Sequence, residues 1–378
     1  MSDIRVITVQ SRRDRRRFLN LPWKLYQDDP LWIPPLRLDQ KELLNYRSHP
    51  FYEQNEIQTF LVEKDGEAVG RIAAILNRGH IERYNQQLGF WGFFECIDDQ
   101  EAADAIFSAA RTWLADRHDI HWMRGPCNPS LNHTVGLLID GFDTSPFFMM
   151  TYNHPYYERL IENLGFRKSQ DLFAYWGHID MLPGVQERLL PICEKISEYT
   201  GAVVRPLDKK HFREDLEEFL SIYNQSLSNT WGFVPMSDAE LKIMAKGLRM
   251  LMVPELALAV NIEGKMAGAV FGLPDYNPRI KKIDGRLFPF GWIRLLHRKN
   301  RIKNIRIVSA NVLPEFSMQG LGLVLMNGLV PKTIEWGIQQ AEFSWVLESN
   351  KFSRGSLERG GAELKKTYRI YDWRADEE

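Results

Sequence analysis

The chain has 378 residues, enough for two ordinary domains, with a globular composition of 44% hydrophobic and 26% charged residues. A formal net charge of -1 provides no global field for nucleic acid, and no uninterrupted apolar run approaches the roughly 20 residues that span a bilayer. Cys96, Cys127 and Cys193 lie far apart with no CxxC pair, which argues against a disulfide framework and fits a reducing compartment.

Residues 1–10 lack the apolar core of a signal peptide, so a cytoplasmic location is expected. An apolar run at 60–62, then Asp65-Gly66 and a second run, predicts a β-hairpin whose acidic-Gly turn supplies positive φ. Residues 89–95 read as a strand, and Cys96-Ile97-Asp98-Asp99-Gln100-Glu101 opens a helix reaching about 117. Carboxylates suit a helix start but repel phosphate there. A strand at 121–124 leads into an insertion near 126–150 that is rich in turn formers. Within it, Asn128, Asn132 and His133 are candidates to line an acceptor pocket; the alternative is an ordinary structured loop. A helical stretch follows between Asn153 and Gly165-Phe166, and the pattern at 181–201 reads as a helix joining two domains.

In the second half, 203–207 reads as a strand and 211–228 and 237–251 as helices. Strands near 256–262 and 266–273 flank Glu263-Gly264, repeating the first hairpin 198 positions later. A strand at 305–313, a helix at about 319–339, a strand at 343–348, a helix at 353–359 and a strand at 365–371 complete the order. Asn350 and Gly360-Gly361 repeat Asn153 and Gly165-Phe166 at offsets of 197 and 196. Two landmarks at nearly one offset argue for duplication, with an insertion in each half near 126–150 and 274–303. The fold class is therefore α/β, an α+β mixed sheet covered by helices, with domains at 1–180 and 202–378.

One segment carries recognisable chemistry. The strand ending Val312-Leu313-Pro314 is followed by Ser317-Met318-Gln319-Gly320-Leu321-Gly322, which opens a helix. A glycine-rich helix start leaves backbone N–H groups unpaired and, with the positive end of the helix dipole, suits a pyrophosphate. A Cβ at the glycines would hold phosphate oxygens away from the backbone. The first half has no such loop.

These residues resemble the cofactor motif of the GNAT acyltransferases, Arg/Gln-x-x-Gly-x-Gly/Ala after a strand ending Val-x-Pro. The stretch 345–350, ending in Asn350 and followed by Ser353 and Gly361, is similar to the family's next landmark. The resemblance implies that Val312 and Leu313 meet the pantetheine arm of acyl-CoA and that the loop Ser317, Met318, Gln319, Gly320, Leu321 and Gly322 holds the pyrophosphate. It also implies that Asn350 and Ser353 border the pantetheine and that the Leu313 N–H is the oxyanion donor. Ser317 stands where the family has Arg or Gln, and Leu357 where many members carry an acidic Tyr. Glu348, two residues before Asn350, is the best nearby carboxylate for proton removal, its other reading being a solvated or ion-paired strand end.

From 279 to 306 there are ten Lys or Arg and one acid, Asp284, around a bulky apolar stretch at 287–296. Such a segment suits an anionic membrane surface. It also reads as an inter-domain packing element, a solvated charge run or a clamp on the CoA 3′-phosphate.

The whole chain is similar to a bacterial tandem-GNAT group that includes bacterial ceramide synthases. The shared stretches include 28–36, 49–53, 89–95, 128–130 and 141–143. The resemblance implies an acyl-CoA-dependent N-acyltransferase using acetyl-CoA or a long-chain acyl-CoA as cosubstrate, with no metal. Its acceptor would be a primary amine such as a long-chain, sphingoid-type amino alcohol, met at the inner membrane. An N-acetyltransferase for a soluble amine or protein, and a non-catalytic CoA-binding protein, are the alternatives.

Overall fold

Period-2 apolar runs separated by amphipathic helices become strands and helices in an alternating order. The computed structural model describes residues 3–208 and 210–375. In chain order these are β1 (Ile4–Thr8), α1 (Arg12–Leu25), α2 (Arg37–Leu43), β2 (Glu56–Lys64), β3 (Glu67–Leu76) and α3 (Arg78–Tyr84). Then come β4 (Gly89–Cys96), α4 (Gln100–His118), β5 (Trp122–Gly125), β6 (Cys127–Asn128), β7 (Thr134–Val135), β8 (Leu137–Asp140), α5 (Tyr157–Asn163) and β9 (Arg167–His178). The second half holds α6 (Leu182–Thr200), β10 (Val203–Pro206), α7 (Phe212–Ser226), α8 (Asp238–Leu251), β11 (Ala257–Ile262) and β12 (Lys265–Pro274). It ends with α9 (Asn277–Lys282), α10 (Gly291–Leu296), β13 (Asn304–Val312), α11 (Leu321–Trp336), β14 (Gln340–Leu347), α12 (Lys351–Arg359) and β15 (Glu363–Arg374).

The duplicated hairpins are alike down to their irregularities. Asp65 and Gly66 have φ of 52° and 82°, and Glu263 and Gly264 have 49° and 80°. Both are therefore two-residue turns with positive φ at each central position, which matches strand twist. The β2–β3 ladder shifts register between Val62 and Glu63, and the β11–β12 ladder between Val260 and Asn261, again 198 positions apart.

Two compact units result, and they do not follow the chain in a simple succession. Unit 1 comprises residues 1–172, 277–292 and 366–378. Unit 2 comprises 173–276 and 293–365. The α6 segment, expected as a linker, belongs to unit 2, while α9 and most of β15 belong to unit 1.

In unit 1 the sheet runs β1-β2-β3-β4-β5-β15, so the last strand of the chain completes a sheet begun by the first. Tyr371 to Arg374 pair antiparallel with Gly125 back to Trp122. Trp91 meets Phe94, Phe107 and Phe166 edge-on in the core with α4 and α5, with Tyr371 and Trp373 contributed by β15. Burying each such ring contributes about 1.5–3 kcal/mol. Arg124 is held by Asp372 through two 2.7 Å hydrogen bonds, a bidentate pair on adjoining strands.

In unit 2 the order is β10-β11-β12-β13-β14, with the C-terminal end of β9 as the neighbour of β14. Ile179 N–H donates to the Gln339 carbonyl at 2.9 Å there. Val260, Val270 and Ile305 from the sheet meet Leu321, Leu325 and Leu329 of α11 in a core closed by Ile338. The three cysteines are unpaired, buried thiols. No helix among the described residues is long and apolar enough to cross a membrane.

Candidate acyl-CoA site

Unit 2 opens where two parallel strands part. β13 and β14 pair from Asn304↔Gln340 to Ile307↔Phe343 and no further, although they continue to Val312 and Leu347. The cause lies on the other edge of β13. Phe271 faces Ser309 and Gly272 faces Ile307, which leaves Val308 as the extra residue of a bulge. A bulge bends its strand and increases twist, turning the end of β13 away from β14. Backbone groups beyond it have no ladder partner on the β14 side.

The register also decides which of them face the gap. The Leu313 N–H donates to the Ala267 carbonyl at 2.9 Å, so it belongs to the β12 ladder. Gly268↔Val312 is then the non-hydrogen-bonded pair, and the Val312 N–H and C=O point toward the opening. The Leu313 N–H, implied above as the oxyanion donor, thus faces β12, and the N–H that faces the gap is that of Val312.

Past β13, Pro314–Phe316 forms a 3-10 turn, and Gly320 at φ 77° precedes the first residue of α11. Leu321 and Gly322 begin the helix, and their N–H groups precede any carbonyl one turn back within it. A Cβ on Gly322 would meet nothing within 4 Å, whereas one on Gly320 would meet Ile196 Cδ1 at 2.7 Å. The two glycines therefore do different work: Gly320 permits the backbone turn, and Gly322 leaves open space at the helix start. The Gln319 N–H turns inward to the Phe316 carbonyl at 3.0 Å. The Ser317 hydroxyl donates to the Pro314 carbonyl at 2.8 Å, so neither reaches outward as predicted. Met318 is 93% exposed.

Across the opening, Asn350 Oδ1 accepts the Ser353 N–H at 3.0 Å and caps α12. Both predicted residues thus serve one helix start. Glu348 is half-buried one residue past β14, and its carbonyl accepts from Arg354 Nη1 at 3.1 Å. Leu357 sits on the same helix without a hydroxyl. The buried Tyr175 of β9 donates instead to Glu358 Oε1 at 2.7 Å, and burial pushes its phenol up from the usual value.

The equivalent place in unit 1 is closed. β4 and β5 pair only at Gly89↔Met123 and Phe90↔Arg124, and a register shift opposite Ile72 bulges β4 at Phe93, φ 50°. Here the insertion fills the gap: Asn128 Oδ1 accepts the Phe93 N–H at 2.6 Å. Gly92 lies so close that a Cβ would collide with the Cys127 carbonyl oxygen. At the start of α4, Asp99 accepts the Ala102 N–H at 3.3 Å, and a hydrogen bond from Lys64 holds its carboxyl below the usual range. Asn128 also donates to Thr134 Oγ1 at 3.2 Å, so both ends of its amide brace the loop. Asn132 and His133 are together in the same loop, both bonded to Ser130 Oγ, at 3.2 Å from the Asn132 N–H and 2.9 Å from His133 Nδ1. Burial, then the neighbouring His49, pushes the His133 imidazole down to about 3.

The same architecture occurs in solved structures. A tandem GNAT protein from the clavulanic acid biosynthesis pathway matches with a TM-score of 0.56 at 10% identity, covering 99% of both chains. A GCN5-related N-acetyltransferase from Sphaerobacter thermophilus gives 0.53 at 13% identity, covering 98% of this chain and 95% of that one. No profile of a known protein family matches. Two curated relatives span the full length. Protein YghO of Escherichia coli strain K12 is 32% identical over 376 residues, 97% of this chain and 94% of that protein. The bacterial ceramide synthase of Caulobacter vibrioides is 34% identical over 379 residues, 98% and 97% of the respective chains. The chain belongs to this tandem GNAT acyltransferase family.

Two polar clusters of this tandem GNAT protein were not legible in the sequence motifs. At the closed end of the unit 2 opening, Arg306 Nε donates to Ser344 Oγ at 2.9 Å and Nη2 to the Ser344 carbonyl at 3.0 Å. Ser344 Oγ in turn donates to Glu342 Oε1 at 2.7 Å, and all three residues are buried. This network ties β13 to β14 where their ladder ends, so it fixes how far the strands part. Its only sequence signal is a charge inside each of two apolar strands. In unit 1, the Tyr26 and Tyr157 hydroxyls both donate to Glu95 Oε2, at 2.7 and 2.9 Å, with Arg71 3.6 Å from the other oxygen. Burial raises the Glu95 carboxyl above its usual range against these partners.

Proposed function

We propose that the chain is an acyl-CoA-dependent N-acyltransferase whose second unit holds the cosubstrate and whose first unit does not. The observation that carries this reading is the contrast between the two strand gaps. In unit 2 the gap leads from the Val312 backbone to an uncovered helix start at Gly322, whereas in unit 1 it is filled by Cys127 and Asn128.

CoA supplies the acyl group as a thioester. The N–H groups of Leu321 and Gly322, at the positive end of α11, are suited to the pyrophosphate. The Val312 C=O continues that line along the parted strand as an acceptor for an amide N–H of the pantetheine arm. A neutral amine nitrogen attacks the thioester carbonyl, the C–S bond breaks and the amine loses one proton. The Val312 N–H, fixed by the β12 ladder on either side of it, is the donor we assign to the developing oxyanion. Glu348 is the carboxylate we assign to proton removal, supported by its half-buried place beside the opening. Leu357 offers no proton to the departing thiolate, so solvent protonates it.

The acceptor we favour is a long-chain primary amino alcohol. The support is the full-length relationship to a bacterial ceramide synthase, together with the basic, aromatic stretch 279–306, which fits a peripheral position at the inner membrane. The test is release of free CoA thiol from palmitoyl-CoA and from acetyl-CoA, with a sphingoid base or a soluble polyamine as acceptor. Turnover confined to palmitoyl-CoA and the sphingoid base is expected. Turnover with acetyl-CoA and a soluble amine replaces this acceptor, and tight acyl-CoA binding without thiol release with any amine removes the catalytic reading.

A further inference from the structure

The segment 279–306 is a set of separate parts. Its N-terminal portion, with the residues just before it, is part of unit 1: Asn277 Nδ2 donates to the Pro146 carbonyl at 2.7 Å, and Lys281 donates to the Pro30 carbonyl. Its single acid, Asp284 at φ 50°, accepts from Trp23 Nε1 at 2.5 Å and pairs with Arg37 at 3.3 Å and Arg286 at 3.4 Å. Gly285 follows so closely on the Pro35 carbonyl that no side chain fits there. Arg37 also lies flat over the Trp23 ring at 3.7 Å, which completes the clamp.

Beyond this anchor the chain turns outward. Phe288 is 73% exposed, Phe290 71% and Trp292 47%, and Ile293, the next residue of α10, is 43% exposed. Lys282, Arg286 and Arg294, in the same stretch, are also exposed. Three aromatic side chains held in water by a rigid base would ordinarily fold inward, because leaving such rings exposed is unfavourable. Cations beside them, with the only local acid consumed in the anchor, make the patch positive within a chain whose net charge is -1. Aromatic rings flanked by Arg and Lys match the boundary between acyl chains and anionic headgroups.

We infer that the tip formed by Phe288, Phe290 and Trp292 inserts into an anionic lipid surface, with Lys282 and Arg294 on the headgroups. The inference gives named residues to the membrane position suggested above, but rests on the surface alone and needs no acyl transfer. Charge complementarity selects lipid over a second copy, since two like-charged patches would repel.

The experiment uses the full chain, without acyl-CoA, and sedimentation with sucrose-loaded vesicles of phosphatidylcholine alone or with 30% phosphatidylglycerol. Binding is expected only to the anionic vesicles and should weaken about tenfold between 0.1 and 0.5 M salt. The triple substitution Phe288→Ser, Phe290→Ser, Trp292→Ser should lower the partition coefficient on the order of a hundredfold. Arg294→Glu, which keeps the aromatic tip, should weaken binding to anionic vesicles about tenfold. Both variants should keep parental acyl-CoA affinity by calorimetry, which separates this inference from the acyltransferase reading. Absence of vesicle binding, or a triple variant that binds like its parent, overturns the inference. So does a concentration-dependent dimer in analytical ultracentrifugation that the triple substitution dissolves, because the patch is then an interface between copies.

Discussion

A carboxylate placed at the start of α11 discriminates most directly between a phosphate cradle and an ordinary helix end. Gly322→Glu is the suitable perturbation, because a Cβ there meets nothing within 4 Å. Gly320 is unsuitable: its φ of 77° and the Ile196 contact at 2.7 Å would strain any replacement. Replacing a helical glycine favours the helix by up to about 1 kcal/mol, so the variant should melt no lower than its parent. One negative charge about 5 Å from a phosphate, at an effective dielectric constant of about 20, costs about 3 kcal/mol. That corresponds to a loss of affinity on the order of a hundredfold. Calorimetric titration with acetyl-CoA and with palmitoyl-CoA below its micelle concentration reads it directly, alongside a thermal melt. Gly322→Ala, with no charge, should weaken binding far less. A folded Gly322→Glu protein that binds either thioester within threefold of the parent would refute the cradle, and with it the placement of the cosubstrate in unit 2.

Val312→Pro removes the N–H that faces the gap without breaking a bond to β12. Single-turnover kinetics should show acyl transfer slowed on the order of 100- to 1000-fold with acyl-CoA affinity nearly intact; parental turnover would remove Val312 from the chemistry. Leu313→Pro instead breaks the 2.9 Å bond to Ala267 and should lower stability, seen as a reduced urea midpoint. Asp372→Ala removes both hydrogen bonds by which β15 holds the buried Arg124 guanidinium and should destabilise unit 1 by about 3 kcal/mol; an unchanged melting profile of that unit would show that β15 does not hold it. His133 stays neutral in the folded chain down to about pH 3, while an unfolded imidazole takes its proton near 6.5. Falling pH therefore favours the unfolded state, and stability drawn from this group is lost progressively from about pH 6.5 toward 3. Urea midpoints at pH 7 and 5 should differ less in His133→Asn than in the parent, and equal differences would assign the acid loss to other groups.

Features set by neighbouring residues were legible in the chain. Asp65-Gly66 and Glu263-Gly264 signalled their turns because few residue types tolerate positive φ. Gly320-Leu321-Gly322 marked the start of α11 for a similar reason, and strand β13 was placed within a residue of its observed bounds. The candidate site was legible as a stretch but not in its orientation. Whether the Leu313 or the Val312 N–H faces the gap depends on a ladder with β12 and on the bulge at Val308. Asn128 looked like a polar loop residue free to bind, and became a brace once β4 lay beside it.

The sequence by itself determined where turns, helix starts and strands fall, that two halves share a plan, and that only the second carries a phosphate-compatible loop. These are consequences of φ preferences, periodicity and charge within a few residues of each other. Tertiary structure alone decided that β15 completes the sheet of unit 1, that Arg306 meets Ser344 and Glu342, and that one gap is open while the other is filled. Each depends on partners tens to hundreds of positions apart. A strand's hydrogen bonds are met equally well by any edge of matching pattern, so local sequence leaves the choice open until the packed cores select it.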